Sequence, residues 1–448
     1  MWKNDDTSLS QQQKPAICIL LFLLTIMLPD LLAGSLKAGA KQEVKADNQI
    51  AVDENDWPWW RGPSRNGVAV AGQKPPLHWS ESENILWSSP VPGRGHGSPT
   101  VVGDRIFLAT ADYDKEVQSV LCFDRHSGQR IWKTDVHRGD FPQGGHKKSN
   151  LAAASVAVDG QRIFINFLNG GAVYTTALSL DGKQLWQTKI SDFVLHQGFG
   201  SSPALYESLV IASADNKGGG ALVALDRSNG KIVWKQERPK LANYTSPIIL
   251  EAAGREQLIL TGTNLVSSFD PLSGKKLWEI EGSTTEVVTS VVTDGQLIFA
   301  SGGYPKRHVA AVRADGSGKI AWEKNISVYV PSMLFHAGHL FLVTDNGIAR
   351  CWKPQTGEEV WKGRLGGTFS ASPVLAGEHI FATNEEGQTF VFRANPKEFE
   401  LVAENKLGDN VMATPTISNS RIYMRVAQDR DDQRTEVLYC IADGQRAE

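Results

Sequence analysis

The 448-residue chain is 41% hydrophobic and 21% charged, with 42 Gly, 20 Pro, 13 Trp and 4 Cys. That apolar content excludes a disordered chain, and a formal net charge of −3 gives no basic footprint for nucleic acid or for an anionic membrane. Four Cys exclude a disulfide scaffold, and length alone predicts two or three domains.

In chain order, the first predicted element is an address. Lys14 precedes the uncharged apolar run AICILLFLLTIML, residues 16–28, which is too short to span a bilayer and is followed by Pro29-Asp30. Small residues lead to Ala38-Gly39-Ala40, the Ala-x-Ala form a signal peptidase accepts. Residues 1–40 therefore read as a secretory signal peptide cleaved near Ala40, giving an exported periplasmic or extracellular protein with no membrane span in the mature chain. The alternative is an uncleaved N-terminal anchor, since Asp5 and Asp6 weaken the positive flank. Cys18 opens the apolar run rather than following it, so no lipid-attachment signal is predicted. Residues 41–84 read as a leader, polar at first. Its Trp57, Trp59, Trp60 and Trp79 are expected to pack it onto the body rather than to form a site.

From residue 85 to 448 one phrase recurs eight times: a Ser- or Thr-led apolar strand, an Ile/Leu-Phe/Tyr strand, a third strand, a Gly turn and a Trp. The copies open at Ser98, Ser155, Ser202, Ser246, Ser290, Ser332, Ser372 and Thr414. Trp87, Trp132, Trp186, Trp234, Trp278, Trp322 and Trp361 follow at steps of 45, 54, 48, 44, 44 and 39, and Leu401 stands where the next would fall. Short strands at this spacing predict an all-β fold, an eight-bladed β-propeller of four-stranded antiparallel blades. The last copy has no room for its fourth strand, whereas residues 85–90 form a fourth strand with no blade before it. The N-terminal strand is therefore expected to complete the last blade and close the ring.

The seven Trp are assigned to blade docking, each burying about 150–250 Å², an upper limit of roughly 4–6 kcal/mol. Cys122, Cys351 and Cys440 share one repeat position with Ala177, Ala224 and Ala311, so they are expected to act as small buried hydrophobes, neither disulfides nor metal ligands.

The phrase Ser-Pro…Ile-Phe…Leu-Asp-x-x-Ser-Gly-Lys-x-x-Trp resembles the PQQ-type propeller repeat over residues 85–448. That repeat is shared by quinoprotein alcohol dehydrogenases and the outer-membrane assembly lipoprotein of the same fold. The dehydrogenases imply an adjacent Cys-Cys disulfide, a Ca²⁺ held by Glu, Asn and Asp, and an Asp base. This chain has no adjacent cysteines, and no carboxylate cluster matches those positions; the lipoprotein's lipid-bearing Cys is also missing.

In a propeller the loops from each outer strand to the next inner strand gather at one mouth of the channel. Here they span 11, 23, 16, 12, 12, 10, 11 and 13 steps. The second holds His137, His146, Lys147 and Lys148, the third His196 and Gln197, and the first Arg94 and His96; Tyr244, Glu286 and Tyr329 complete the candidate rim. These residues suit a small polar or anionic ligand or a peptide, the alternative being a solvated loop face without function. A metal reading lacks a carboxylate or Cys at matching spacing, so no metal is expected. No Gly-x-Ser-x-Gly, His-Glu-x-x-His or phosphate-binding Gly-Lys-Ser loop is present, and no catalytic residue is predicted. The expectation is an exported, non-catalytic module without cofactor, binding an envelope or extracellular protein or a small polar ligand. The alternative is an oxidoreductase using PQQ with Ca²⁺.

Overall fold

The computed structural model describes residues 49–430 and 433–444. The expected signal segment and its cleavage site lie outside them. The described residues form eight four-stranded antiparallel sheets, seven of which run in simple chain order from inner to outer strand. Blades 1 to 7 span residues 100–138, 157–192, 204–238, 248–281, 292–324, 334–364 and 374–406. Blade 8 takes three strands from residues 416–441 and its outer strand from Ile85–Val91, which pairs with Gln433–Ile441. The ring is closed by its own N-terminal strand, as the repeat count predicts.

The period of the sequence has a period of contacts behind it. Six of the seven Trp indoles cross by Nε1 to the turn between the third and fourth strands of the next blade. Nε1 of Trp87, Trp132, Trp186, Trp234, Trp322 and Trp361 donates to the carbonyls of Arg125, Leu180, Arg227, Pro271, Pro354 and Asn395 at 2.7–3.2 Å. Trp278 differs, donating to Gln257 Oε1 at 2.7 Å. Within each blade the residue opposite the Trp is small: Cys122, Ala177, Ala224, Ser268, Ala311, Cys351 and Cys440. The three cysteines are buried free thiols, and burial pushes them up to about 12, 12 and 11, which leaves them protonated and inert.

The opening hydroxyls of the repeats make a second band. The amides of Ser98, Ser155, Ser202, Ser290, Ser332 and Ser372 donate to the hydroxyls of Ser155, Ser202, Ser246, Ser332, Ser372 and Thr414 at 2.9–3.0 Å. This belt joins inner strands that share no ladder, satisfying polar groups that the ring buries.

Residues 49–84 lie across the face built from the turns between first and second strands. Asp56 accepts from the Gly103 amide, Trp57 bridges to Val101, Ala51 donates to Asp159, and Gly67 through Ala69 pair with Leu375. The Arg61 guanidinium, 1% exposed, donates to backbone carbonyls of Asn66, Met333 and Pro373. Trp57, Trp59 and Trp79 are buried, whereas Trp60 reaches up the channel and gives its Nε1 to Ser290 Oγ at 2.8 Å. Trp60 thus occupies the belt hydroxyl of blade 5 and closes the channel from below.

Candidate functional site at the channel mouth

Above Trp60 lies an inner chamber of ≈ 420 Å³, bordered by belt residues such as Ser202, Ser246, Ser372 and Thr414. An adjoining outer chamber of ≈ 550 Å³ shares His96, His146, Lys148 and Gln197 with it. Because the leader stops the far end, the mouth is a blind pocket rather than a pore.

The two longest loops build the walls, and each is tied to a distant blade. The loop between blades 1 and 2 is folded by His146: its amide donates to Gln197 O at 2.7 Å, and its Nδ1 accepts from the Lys148 amide at 3.2 Å. Lys148 Nζ then reaches Glu385 Oε2 on blade 7 at 2.6 Å, and Ser370 Oγ donates to the other carboxylate oxygen at 2.7 Å. The loop between blades 2 and 3 places His196 Nε2 3.1 Å from Glu286 Oε1. Glu286 Oε2 faces the hydroxyls of Tyr244 and Tyr329, each at 3.4 Å. Burial first, and then the Glu286 charge, hold both phenols well above their ordinary range, so they stay protonated and donate. The Tyr329 segment is itself pinned by Asp345, which accepts from the amides of Tyr329 and Val330 at 3.0–3.1 Å.

His96 is pushed down to about 3, by burial first and then by the Arg425 and Arg434 guanidiniums. It is a neutral imidazole at the junction of the two chambers. Behind it, Arg425 and Glu436 form a buried pair at 2.5 Å that also takes the Gly95 amide.

Of the sequence candidates, Arg94, His96, His146, Lys147, Lys148, Gln197, Tyr244, Glu286 and Tyr329 line one chamber or both. His196 borders neither but acts on Glu286. His137 falls elsewhere, on the outer strand Arg130–Arg138, with its ring edge-on to Phe167 at 6.1 Å. Its loop count placed it too high because the strand runs further than the repeat suggests. Sequence reasoning missed Trp60, Tyr304, Glu385 and Arg434, which also line the chambers. Tyr304 and Glu385 sit on turns between second and third strands, which open on the same mouth as the long loops; following that second set of turns would have found them.

The family model described as outer membrane protein assembly factor BamB matches residues 115–363 and 306–395. The chain belongs to this family. It is 24% identical over 387 residues to the outer membrane protein assembly factor BamB of Yersinia pestis, covering 81% of this chain and 91% of that one. It is also 24% identical to the polyvinylalcohol dehydrogenase of a Sphingopyxis species, where the match covers 83% of this chain and spans half the length of the relative. Among solved structures, BamB from Moraxella catarrhalis superposes with a TM-score of 0.56 at 13% identity, over 79% of this chain and 99% of that one. The quinohemoprotein alcohol dehydrogenase of Comamonas testosteroni gives 0.63 at 13% identity, over 90% and 82%. At that identity the superpositions show the fold alone.

A quinoprotein alcohol dehydrogenase is also among the relatives, and chemistry of that kind would need this mouth to hold PQQ and Ca²⁺. Calcium takes six to eight oxygens, with several carboxylate or amide donors converging. Here each chamber is bordered by a single carboxylate, Glu286 in the inner one and Glu385 in the outer, so no set of carboxylate donors converges. Among the described residues, no three His, Cys, Asp or Glu side chains group to hold a metal ion. These donors do not fit that ion. No helix among the described residues is long and apolar enough to cross a membrane.

Proposed function

We propose that this chain is an exported, non-catalytic envelope propeller that binds a small polar ligand in the blind mouth of its ring. The observation that carries the reading is the chamber stopped by Trp60. Its ≈ 420 Å³ falls within the size of ordinary ligand pockets, and its polar groups are fixed by contacts between distant blades. BamB relatives support a binding module in the envelope, whose partner there would be a protein. The closed floor favours a small molecule over a protein surface at this mouth.

The quinoprotein relatives support an oxidoreductase instead, and one experiment separates the two. Purified protein is incubated with PQQ and Ca²⁺, desalted, and tested for a retained quinone chromophore and for dye reduction with alcohols and sugars. Neither is expected, and a chromophore with substrate-dependent dye reduction would overturn the binding reading. Export is tested by sequencing the mature N-terminus, expected at Lys41; recovery of an intact residue 1 would leave the segment as an anchor.

A further inference from the structure

The mouth is polarised. On the side of blades 3 to 6, the Glu286 side chain is only 6% exposed and has no Lys or Arg among its contacts, facing His196 at 3.1 Å and two phenols at 3.4 Å. Hydroxyl bonds to a carboxylate are normally near 2.7 Å, so the phenols hold it loosely. A carboxylate removed from water in this way is poised for a cation. The rings around it suit an organic one: Tyr244, Tyr329 and Trp60 border the same chamber, and aromatic rings attract ammonium groups through their quadrupoles.

On the opposite side the charge reverses. Arg94, Lys147, Lys148 and Arg434 line the outer chamber; Lys148 is paired with Glu385 and Arg434 with Glu436, which leaves the excess positive charge on Arg94 and Lys147. A bare cation therefore has to pass a basic rim, and a dianion has to approach Glu286. A molecule carrying both charges satisfies both ends at once.

We propose that the ligand is a small zwitterion, an organic ammonium joined by a short spacer to a carboxylate, with its cation at Glu286 and its carboxylate at the basic rim. The inference rests on the reading of the mouth as a ligand site. Tyr244 and Tyr329 flank the ammonium, Trp60 forms the floor beneath it, and Lys147 and Arg94 meet the carboxylate. No bond is made or broken.

The test uses the purified chain and four probes: carnitine, choline, glutarate and glucose, each followed by calorimetry and by Trp fluorescence. Carnitine is expected to bind, choline to bind about tenfold more weakly, and glutarate more weakly still. Glu286→Gln is expected to weaken carnitine and choline alike by about tenfold or more, whereas Arg94→Glu with Lys147→Glu weakens carnitine and spares choline. Raising the salt from about 0.05 M to about 0.5 M is expected to weaken carnitine through the exposed rim. Unchanged unfolding midpoints for the variants show that the ring is intact. Carnitine affinity unmoved by Glu286→Gln overturns the proposal. So does binding of glutarate or glucose ahead of carnitine, although a response lost in Trp60→Phe would then keep the mouth as a binding site. If none of the four probes binds, both the zwitterion and the reading of the mouth fall.

Discussion

Gly230 stands at φ +73° with the Trp186 ring where its side chain would be: a Cβ there would lie 2.5 Å from Trp186 Cε3. The same relation recurs at Gly128 under Trp87, Gly182 under Trp132, Gly274 under Trp234 and Gly357 under Trp322. Turn and indole are therefore one device. Trp186→Ala is expected to destabilise the fold by about 3–5 kcal/mol, and Gly230→Ala by about 1 kcal/mol or more, from backbone strain alone before the clash is counted. In the double variant the clash disappears with the ring, so the losses should fall short of additivity in a denaturant-unfolding cycle. Full additivity would show that the two residues do not meet. His96 supplies a pH term of definite sign. Its folded value of about 3 lies below the ordinary 6.5, so the fold binds fewer protons than the unfolded chain. The contribution is complete above pH 6.5 and is lost as the pH falls towards 3. His96→Gln should accordingly flatten the melting-temperature profile in that window relative to the parent, and an unchanged profile would remove His96 as its source.

At the scale of elements, what was legible in the sequence was whatever repeats. Eight opening hydroxyls and seven Trp occupy one blade position each, and the ring turns each position into a band of equivalent contacts. Blade 7 is the exception, and its register corrects the spacing by two residues: Ala403, not Leu401, pairs with Val391 and so holds the Trp position, while Leu401 pairs with Phe392. An outer-strand Trp docks on the next blade's turn between third and fourth strands. Blade 8 has no such turn, because its fourth strand is Ile85–Val91 rather than a continuation of Gln433–Ile441. A Trp at Ala403 would have no such turn to meet, and the buried leader residue Trp79 stacks on Phe381 at 6.3 Å instead, as Trp361 packs on Phe341 in blade 6. The candidate site was only half legible, because contacts across the mouth have no period. Lys148 and Glu385 are 237 positions apart, and nothing in either loop announces the other. Breaking that tie tests what it does. Lys148→Met is expected to lower global stability by about 1–2 kcal/mol, because the Glu385 side chain is only 12% exposed and keeps Ser370 alone as its side-chain partner, while amides of residues 139–151 exchange faster. Unchanged exchange there would mean that His146 alone holds the loop.

At the scale of the whole molecule, closure is the one step that no repeat supplies. Seven blades are complete within their own stretches of chain, but the eighth depends on a strand that arrives from the other side of the leader. Along this strand, Trp87 pairs with Cys440 and Ser89 with Leu438, and Trp87 then docks on blade 1 through the Arg125 carbonyl at 3.1 Å. A single segment therefore covers the edge of Gln433–Ile441 and joins the last blade to the first. Excising Ile85–Val91 while keeping the leader should leave both interfaces open, with an unpaired edge of the kind that invites association between copies. Exchange protection is expected to fall first in residues 433–441 and in blade 1, with blades 3 to 5 retaining more. A synthetic peptide of sequence ILWSSPV should restore protection by adding the missing strand, whereas a peptide with Trp87 replaced by Ala should pair with blade 8 but fail to restore blade 1. Equal rescue of blade 1 by both peptides would show that pairing closes the ring without the indole, and loss spread evenly over all eight blades would make the propeller one cooperative unit.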